Sequence, residues 1–377
     1  MRTGGTLDIC VYGAGSIGGS IAARLGLAGA NVCAITRGPH GKAMAANGLT
    51  LVSGPARHTV RIPCFDAPSQ VVPQDVVLVA VKGPALSVIA PALPSLLKPG
   101  GLIVFAMNGI PWWFDRGMAV RLPDWLRAEL DPDGILERTI APESIVGCVV
   151  QSSNEVIAPG VVLNSTPARN NLIMGKPDGA ADALLDRFVA QLCAAGYNAR
   201  LSGNIRDEIW TKTLLASSAG PVAALTGASL DLLVEDPQTR GVLATIMHDG
   251  TAIGRALGLN VNEDIEARLN FYHGKPVRPS MLQDFETGRS AEVESGIVAF
   301  AALATALGMD LPGTQTVAAL LHMKKTLVAT GRQLPLKASA PRSPALNSNR
   351  FSSDPTNTMP QVCTTWSSTC KDPATTT

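Results

Sequence analysis

A glycine-rich turn between an apolar strand and a helix constrains the fold of this chain most strongly. The sequence GAGSIG follows the apolar run LDICVY and opens a helical stretch. Glycines at this spacing permit a tight turn, a close approach of the backbone to a pyrophosphate, and close helix–strand packing. The free N–H groups at the start of such a helix attract phosphate. The alternative is a glycine turn with a purely structural role. The pattern predicts a dinucleotide site at Gly13, Ala14, Gly15, Ser16, Ile17 and Gly18.

The first half of the chain alternates short β-branched runs with helical stretches. NVCAIT, DVVLVAV and GLIVFAM are apolar enough to be buried on both faces, which is typical of parallel strands. After an insertion at about 110–143, the runs SIVGCVVQS, GVVLN and NLIMG predict further strands. The expected fold is α/β, with an N-terminal Rossmann-type doubly wound sheet in a domain over residues 1–202.

The strand pattern stops at about residue 204, and amphipathic helices follow. They are predicted over 205–226, 237–257, 263–273, 280–287, 290–307 and 314–330. We therefore expect an all-helical C-terminal domain over 203–333, with a cleft between the two domains. Residues 334–377 are rich in Ser, Thr and Pro and lack periodicity, so we predict that this tail is disordered.

Charge and cysteine usage exclude several classes of function. The net charge is +1 and no segment is strongly basic, which argues against nucleic acid as a partner. Seven cysteines without a CxxC pair or a zinc-like spacing favour free thiols in a reducing compartment and predict no metal site. The N-terminus lacks an apolar signal core, and lysines and prolines interrupt the longest apolar region. We expect a soluble cytoplasmic protein without membrane contact.

Three polar residues follow strands of the predicted sheet. Sites that prefer NAD usually place Asp or Glu after the second strand, but this chain has Arg37, which can pair with the 2′-phosphate of NADP. An ordinary surface arginine is the alternative. Lys82 and Asn108 follow the next two strands, at the carboxyl ends where such sheets bind ligands, and we predict that both contact the cofactor. A solvated loop lysine and an Asn-Gly turn are the alternatives.

A lysine interrupts the apolar helix NIRDEIWTKTLLASSAGPVAALTG. At helical spacing, Lys212 shares its face with Ile205, Ile209, Ala216 and Ala219. A buried ammonium costs free energy unless something offsets it, and burial lowers its pKa toward neutrality. Such a lysine is suited to donate a proton to a carbonyl oxygen that receives a hydride. A lysine that snorkels to the helix edge is the alternative.

Five separated motifs in this sequence resemble those of the ketopantoate reductase family. They are the GxGxxG turn, the strand end VAVK, the segment MNGIP, the helix start NIRDEIWTK, and SMLQDFETGRSAE, in which Glu292 follows Ser280 by twelve residues. The motifs occur in order over roughly residues 7–330. That family reduces a 2-oxo acid to a 2-hydroxy acid with NADPH, and the resemblance implies the same activity for this chain.

The resemblance also implies roles for individual residues. Lys212 would be the general acid, and Glu292 would lie near the nicotinamide ribose and the lysine. Asn108 would contact both cofactor and substrate, and Ser280 would bind the substrate carboxylate. From the residues alone, Ser280 also fits the N-cap of a capping box, and Glu292 fits an acid in the first turn of a helix. Glu294 satisfies that second pattern equally well.

The sequence departs from the family in the predicted substrate pocket. The pantoate-forming enzymes present asparagines four and eight residues after the lysine and beyond the next turn, where this chain has Ala216, Gly220 and Leu230. Those amides bind the pantoate skeleton. Their loss leaves the reduction chemistry intact but does not identify the substrate. Trp112 and Trp113 are expected to add aromatic bulk beside the site. We expect ketopantoate to be a poorer substrate than a more apolar or aromatic 2-oxo compound.

The favoured hypothesis is an NADPH-dependent oxidoreductase, similar to 2-dehydropantoate 2-reductase of pantothenate biosynthesis, that acts on a small-molecule 2-oxo acid. A β-hydroxyacid dehydrogenase and a non-catalytic NADP-binding sensor are the alternatives. The Arg-x-x-x-Trp-x-Lys spacing and the Glu292 motif favour the first hypothesis. A homodimer is compatible with the sequence, which determines neither the oligomeric state nor the natural substrate.

Overall fold

The architecture is that of a computed structural model, which describes residues 6–289 and 291–331. The predicted tail, residues 334–377, lies outside the described residues. The strands are β1 (Asp8–Tyr12), β2 (Asn31–Ile35), β3 (Leu49–Ser53), β4 (Ala56–Val60), β5 (Cys64–Phe65), β6 (Gln74–Val79), β7 (Leu97–Phe105), β8 (Ile145–Gln151), β9 (Asn154–Ala158), β10 (Val161–Asn164), β11 (Asn171–Gly175) and β12 (Asn198–Leu201).

Two sheets organise the N-terminal half. The larger has eight strands in the order β12-β11-β8-β7-β6-β1-β2-β5, parallel except between β11 and β8. The smaller has the order β4-β3-β10-β9 and includes the predicted strand GVVLN. In the larger sheet, Tyr12 pairs with Ile35 and Val79, and Val79 pairs with Phe105. The carboxyl ends of β2, β1, β6 and β7 therefore meet along one edge.

Helices cover the sheet and form the C-terminal half. They are α1 (Ser16–Leu27), α2 (Gly38–Asn47), α3 (Gly83–Ile89), α4 (Asp124–Leu130), α5 (Ile135–Thr139), α6 (Ala183–Ala194), α7 (Ile205–Thr226), α8 (Leu230–Glu235), α9 (Pro237–Ala256), α10 (Ile265–Asn270), α11 (Ser280–Glu286), α12 (Ala299–Ala306) and α13 (Pro312–Ala329). The predicted α/β fold with a helical C-terminal region is confirmed. The domain boundary at residue 202 stays a prediction, because the described residues up to 331 belong to one compact unit.

The helix predicted over 290–307 is wrong in its first part. Residues 291–293 are not helical, Glu294–Val298 form a π-helical turn, and the α-helix begins only at Ala299. The reason is Gly296, whose φ of −114° and ψ of −115° lie outside the helical region. Turns of the π type occur often at functional sites.

The predicted insertion contributes to the core. Trp113 and Phe114 are each 1% exposed and belong to the same apolar cluster as Trp210 and Phe300. The Trp210 ring stacks on Phe300 at 4.9 Å between centroids and lies 5.8 Å from Phe114. Residues after β7 therefore pack directly against α7, the helix that carries Lys212.

Candidate active site

The glycine turn lies at the edge where four strand ends meet. Gly13 has φ of +94°, and a Cβ there would lie 2.7 Å from Val81 Cγ1. A Cβ on Gly18 would lie 2.2 Å from the Gly13 carbonyl oxygen, so the turn requires glycine at both positions. A Cβ on Gly15 would meet no atom within 4 Å. Gly15 therefore borders open space at the N-terminus of α1, which begins at Ser16 without a side-chain cap.

Arg37 and Lys82 lie on either side of this turn along the same edge. Arg37 is exposed and occupies the N-cap position of α2, without a side-chain hydrogen bond to the helix. Burial raises the pKa of the Tyr12 hydroxyl, and the positive charge of Arg37 partly offsets this shift. Arg37 thus lies near the end of β1. Lys82 pairs with Asp284 of α11 at 2.8 Å. This ion pair links the Rossmann-type half to the helical half beside the predicted cofactor site.

A cavity of about 310 Å³ contains most of the predicted catalytic residues. Its lining includes Lys212, Asn108, Glu292 and Ser280. Lys212 Nζ donates a hydrogen bond of 2.6 Å to Asn108 Oδ1. A side chain from α7 is thereby joined to one that follows β7, although 104 residues separate them in sequence. The structure brings together residues that the sequence motifs presented separately.

The environment of Lys212 changes the acidity of its ammonium. Burial lowers the pKa of Lys212 to about 8, and the positive charge of Arg169 adds to this shift. Cys148 and Glu292 oppose it. Desolvation disfavours the charged form of an amine, which explains the direction. At neutral pH this lysine carries a proton that it can release more readily than an exposed lysine could.

Glu292 lies just before the π-helical turn and close to Lys212. Burial raises the pKa of its carboxyl group, and the Gly83 N–H group, Lys82 and Lys212 oppose this shift while Asp284 adds to it. The Gly83 N–H group donates to Glu292 Oε1 at 3.5 Å. Because the helical turn begins only at Glu294, Glu292 is not an acid in the first turn of a helix. That position belongs to Glu294, which pairs with Lys325 at 2.5 Å.

The NIRDEIWTK motif holds α7 in place so that Lys212 enters the cavity. Arg206 Nε donates to the Phe114 carbonyl oxygen at 2.7 Å, and its two NH groups donate to the carbonyl oxygens of Arg116 and Pro177. Trp210 Nε1 donates to the Gly250 carbonyl oxygen at 2.9 Å. The arginine and tryptophan of the motif thus position the lysine.

The Asn-Gly dipeptide is more than a surface turn. Gly109 has φ of +75°, and a Cβ there would lie 2.3 Å from Ser295 Oγ. The Ile110 N–H group donates to the Ser295 carbonyl oxygen at 2.7 Å. Gly109 therefore lets the Asn108 turn pack against the π-helical turn that follows Glu292. This contact fixes Asn108 and Glu292 relative to each other.

Ser280 lines the cavity, but the capping-box alternative for it is wrong. Pro279 is the N-cap of α11, and Ser280 is the first helical residue. Gln283, which would complete the box, donates instead to the Arg278 carbonyl oxygen at 2.9 Å. A ligand-binding role for Ser280 stays a prediction.

The positions that depart from the family pattern line the cavity as well. They are Ala216, Gly220 and Leu230. Ser217 also lines it, and its Oγ is buried without a hydrogen-bond partner among the described residues. Ser218 Oγ, in contrast, donates to the Leu215 carbonyl oxygen at 3.1 Å. The part of the cavity wall that these positions form is therefore mainly apolar.

A second cavity, of about 280 Å³, shares Asn108, Glu292 and Ser295 with the first. Trp112 lines this second cavity and not the one that contains Lys212. Trp113 lines neither cavity, because it lies in the core. The expected aromatic bulk thus borders the site through Trp112 alone.

Arg169, Asp284 and Ser295 are among the polar residues that line the Lys212 cavity and that sequence reasoning missed. Asp284 lies within the motif SMLQDFETGRSAE, so its spacing from Ser280 could have suggested it. Arg169 lies in an irregular turn between β10 and β11, where no periodicity marks a functional side chain.

The chain is similar to known proteins over most of its length. Residues 9–112 match the family Ketopantoate reductase PanE/ApbA, and residues 204–325 match Ketopantoate reductase PanE/ApbA C terminal. A 2-dehydropantoate 2-reductase from Mesorhizobium japonicum is 32% identical over 322 residues, which cover 84% of this chain and 97% of that protein. The chain belongs to the ketopantoate reductase family. It is an oxidoreductase that depends on a pyridine nucleotide, and the resemblance found in the motifs is confirmed.

Solved structures share the fold. A candidate ketopantoate reductase from Ralstonia solanacearum has a TM-score of 0.78 at 31% identity and covers 86% of this chain and 99% of its own. D-mandelate dehydrogenase, in complex with NADH and anilino(oxo)acetate, has a TM-score of 0.72 at 18% identity, over 86% of this chain and 100% of its own. None of the helices described here is long and apolar enough to cross a membrane. The described residues include no metal-ligand cluster.

Proposed function

We propose that the chain reduces a 2-oxo acid to the corresponding 2-hydroxy acid with NADPH. The observation that carries this proposal is the hydrogen bond between Lys212 and Asn108 in a cavity that also contains Glu292. The activity named for the relatives, 2-dehydropantoate 2-reductase, makes ketopantoate or a related 2-oxo acid the substrate class.

The glycine turn fits a dinucleotide. Open space at Gly15 leaves room for a pyrophosphate next to the uncapped N-terminus of α1. Arg37 would bind the 2′-phosphate that distinguishes NADPH from NADH, and Lys82 and Asn108 would contact the remainder. When bound, the nicotinamide supplies the hydride for the carbonyl carbon. Fluorescence titration with both reduced cofactors tests the preference, and equal affinity would contradict it.

Lys212 would donate the proton that balances the hydride. The Lys212 ammonium transfers one proton to the carbonyl oxygen as that oxygen becomes an alkoxide, and the product is a hydroxyl group. A pKa of about 8 keeps the lysine largely protonated at neutral pH and still acidic enough to donate. Asn108 Oδ1 orients the ammonium, and Glu292 stabilises its charged form. Water re-protonates the lysine between turnovers.

The apolar wall of the cavity supports an apolar or aromatic 2-oxo acid over ketopantoate. Ala216 and Gly220 offer no side-chain hydrogen bonds to substrate hydroxyls, and Ser217 is the residue best placed to restore one. A pocket that hydrogen-bonds a hydroxyl discriminates by roughly 10⁴-fold against analogues that lack it, whereas an apolar pocket gains about 1–3 kcal/mol per methylene-sized group. The loss of amides should therefore lower the efficiency for ketopantoate.

The test is kcat/KM for ketopantoate against alkyl and aryl 2-oxo acids with saturating NADPH. A higher value for an apolar acid supports the proposed preference, and ketopantoate far ahead of the others contradicts it. A cytoplasmic location and a homodimer also remain proposals. Light scattering coupled to size-exclusion chromatography distinguishes a dimer from a monomer.

A further inference from the structure

Charged groups line the Lys212 cavity on several sides, and most of them have a partner. Among the cations, Lys212 is bonded to Asn108, and Arg268 pairs with Glu263 at 2.6 Å. The anions that line it are also engaged. Asp284 pairs with Lys82 and Arg289 at 2.8 and 3.2 Å, Glu208 pairs with Arg200 at 2.7 Å, and Glu292 accepts from the Gly83 N–H group.

Arg169 is the exception. Its side chain is exposed and lines the same cavity, yet within residues 6–289 and 291–331 its guanidinium has no ion pair or side-chain hydrogen bond. Its positive charge reaches Lys212, since it contributes to the lowered pKa of that lysine. A guanidinium that lines a cavity and has no anionic partner there is available to bind an anionic ligand.

The turn that carries Arg169 is held by buried amides. Asn164 Nδ2 donates to Asn170 Oδ1 at 2.5 Å, and Asn170 Nδ2 donates to the Pro167 carbonyl oxygen at 2.7 Å. Asn164 and Asn170 are 1% and 8% exposed. The backbone of the turn closes with a bond from the Arg169 N–H group to the Thr166 carbonyl oxygen. These bonds fix the backbone of the turn, so the Arg169 side chain starts from a defined position at the cavity.

A 2-oxo acid has its carboxylate on the carbon next to the carbonyl group. If Lys212 faces the carbonyl oxygen, a second cation that lines the same cavity can bind the carboxylate, in addition to the hydrogen bond predicted from Ser280. A guanidinium can bind a carboxylate with two parallel hydrogen bonds, which fixes its orientation as well as its position. We propose that Arg169 binds the substrate carboxylate and selects 2-oxo acids over uncharged carbonyl compounds. This inference rests on the proposed function.

The experiment compares wild type, Arg169→Gln, Arg169→Lys and a matched control, Arg57→Gln. Arg57 is an exposed arginine on β4 that lines neither cavity. KM and kcat are measured for the best 2-oxo acid of the panel and for its methyl ester, with saturating NADPH. Binding of oxamate, an unreactive carboxylate of similar shape, and of NADPH is measured by fluorescence.

Arg169→Gln should raise KM for the acid and the dissociation constant for oxamate by about 10- to 100-fold, the range for a lost charge-assisted hydrogen bond. KM for the ester and the affinity for NADPH should not change. Arg169→Lys should restore part of the loss, and Arg57→Gln should behave as wild type. Since Arg169 has no partner in the described residues, its replacement should leave the melting temperature unchanged.

Three results would overturn the inference. Retained preference for the acid over the ester in Arg169→Gln would show that another group binds the carboxylate. A selective loss of NADPH affinity would assign Arg169 to the cofactor. A wild-type protein that reduces no 2-oxo acid would refute the proposed function itself, and this result is obtained before any variant is compared.

Discussion

Lys212 Nζ lies 2.6 Å from Asn108 Oδ1, and this hydrogen bond joins the first helix of the C-terminal half to the carboxyl end of β7. Separate contacts fix the helix that carries Lys212 and the turn that carries Asn108. Arg206 and Trp210 hold the helix, and Gly109 packs the Asn108 turn against Ser295. The position of the ammonium therefore depends on contacts from both halves of the chain.

The pH dependence of reduction should report the acidity of Lys212. Burial lowers the pKa of Lys212 to about 8, so the lysine is protonated below that pH and loses its proton as the pH rises through it. Because the protonated form is the donor, kcat should fall on the alkaline side of about pH 8. Arg169→Gln removes a positive charge that lowers this pKa, so the alkaline limb should move to higher pH. A profile of kcat that stays flat to pH 10 would contradict the assignment.

Two glycines of the nucleotide turn should respond differently to alanine. Gly18→Ala places a Cβ 2.2 Å from the Gly13 carbonyl oxygen, and we expect a loss of about 1–3 kcal/mol in the free energy of unfolding. Gly15→Ala meets no protein atom within 4 Å, so stability should be retained. Its Cβ should obstruct the pyrophosphate and weaken NADPH binding by about tenfold or more. Thermal melts and NADPH titrations of both variants check this contrast, and full NADPH affinity in stable Gly15→Ala would argue against the predicted site.

Arg37→Ala should weaken NADPH by about 1–3 kcal/mol, as expected for a lost charge-assisted phosphate contact. NADH lacks the 2′-phosphate, so its affinity should not change. Arg57→Ala, which also removes one exposed arginine, is the control. Equal losses for both cofactors in Arg37→Ala would show that the arginine does not recognise the 2′-phosphate.

Gly109→Ala should displace Asn108 although Gly109 has no side chain that takes part in the reaction. The positive φ and the close approach to Ser295 Oγ both oppose a Cβ, and together they should cost about 1–3 kcal/mol. We expect a lower melting temperature and a lower kcat, because Asn108 shifts relative to Glu292. Gly117→Ala is a matched control, since Gly117 has the same φ of +75° but a Cβ there would meet no atom within 4 Å. If the two variants lose the same activity, the contact with Ser295 is unimportant.

The parts of the fold that could be predicted are those in which apolar side chains recur in a regular pattern. The strands β1, β2 and β6 and the second half of β7 are mainly apolar runs, because both faces of a central parallel strand are buried. Helix α2 has the sequence GPHGKAMAAN, which has little apolar periodicity, so this signal does not predict it. Strand β4 was missed because its residues ARHTV are mostly exposed.

The candidate site was predictable only where a residue belonged to a motif. Lys212 and Asn108 came from motifs, although their hydrogen bond spans 104 residues and follows from the topology. Arg169 belongs to no motif, and its turn reaches the cavity just before β11, which pairs with β8 and β12. The helix predicted before Ala299 is wrong because the backbone of Gly296 leaves the helical region within a π-helical turn.

The most direct test of the account compares wild type with Lys212→Ala, following NADPH absorbance with 2-oxo acids. The wild type should oxidise NADPH and form the 2-hydroxy acid. Lys212→Ala should lower kcat by about 10²–10⁴-fold, the usual range for general acid catalysis, while its affinity for NADPH stays nearly unchanged. A variant that retains most of its turnover would contradict the role of Lys212 as the proton donor.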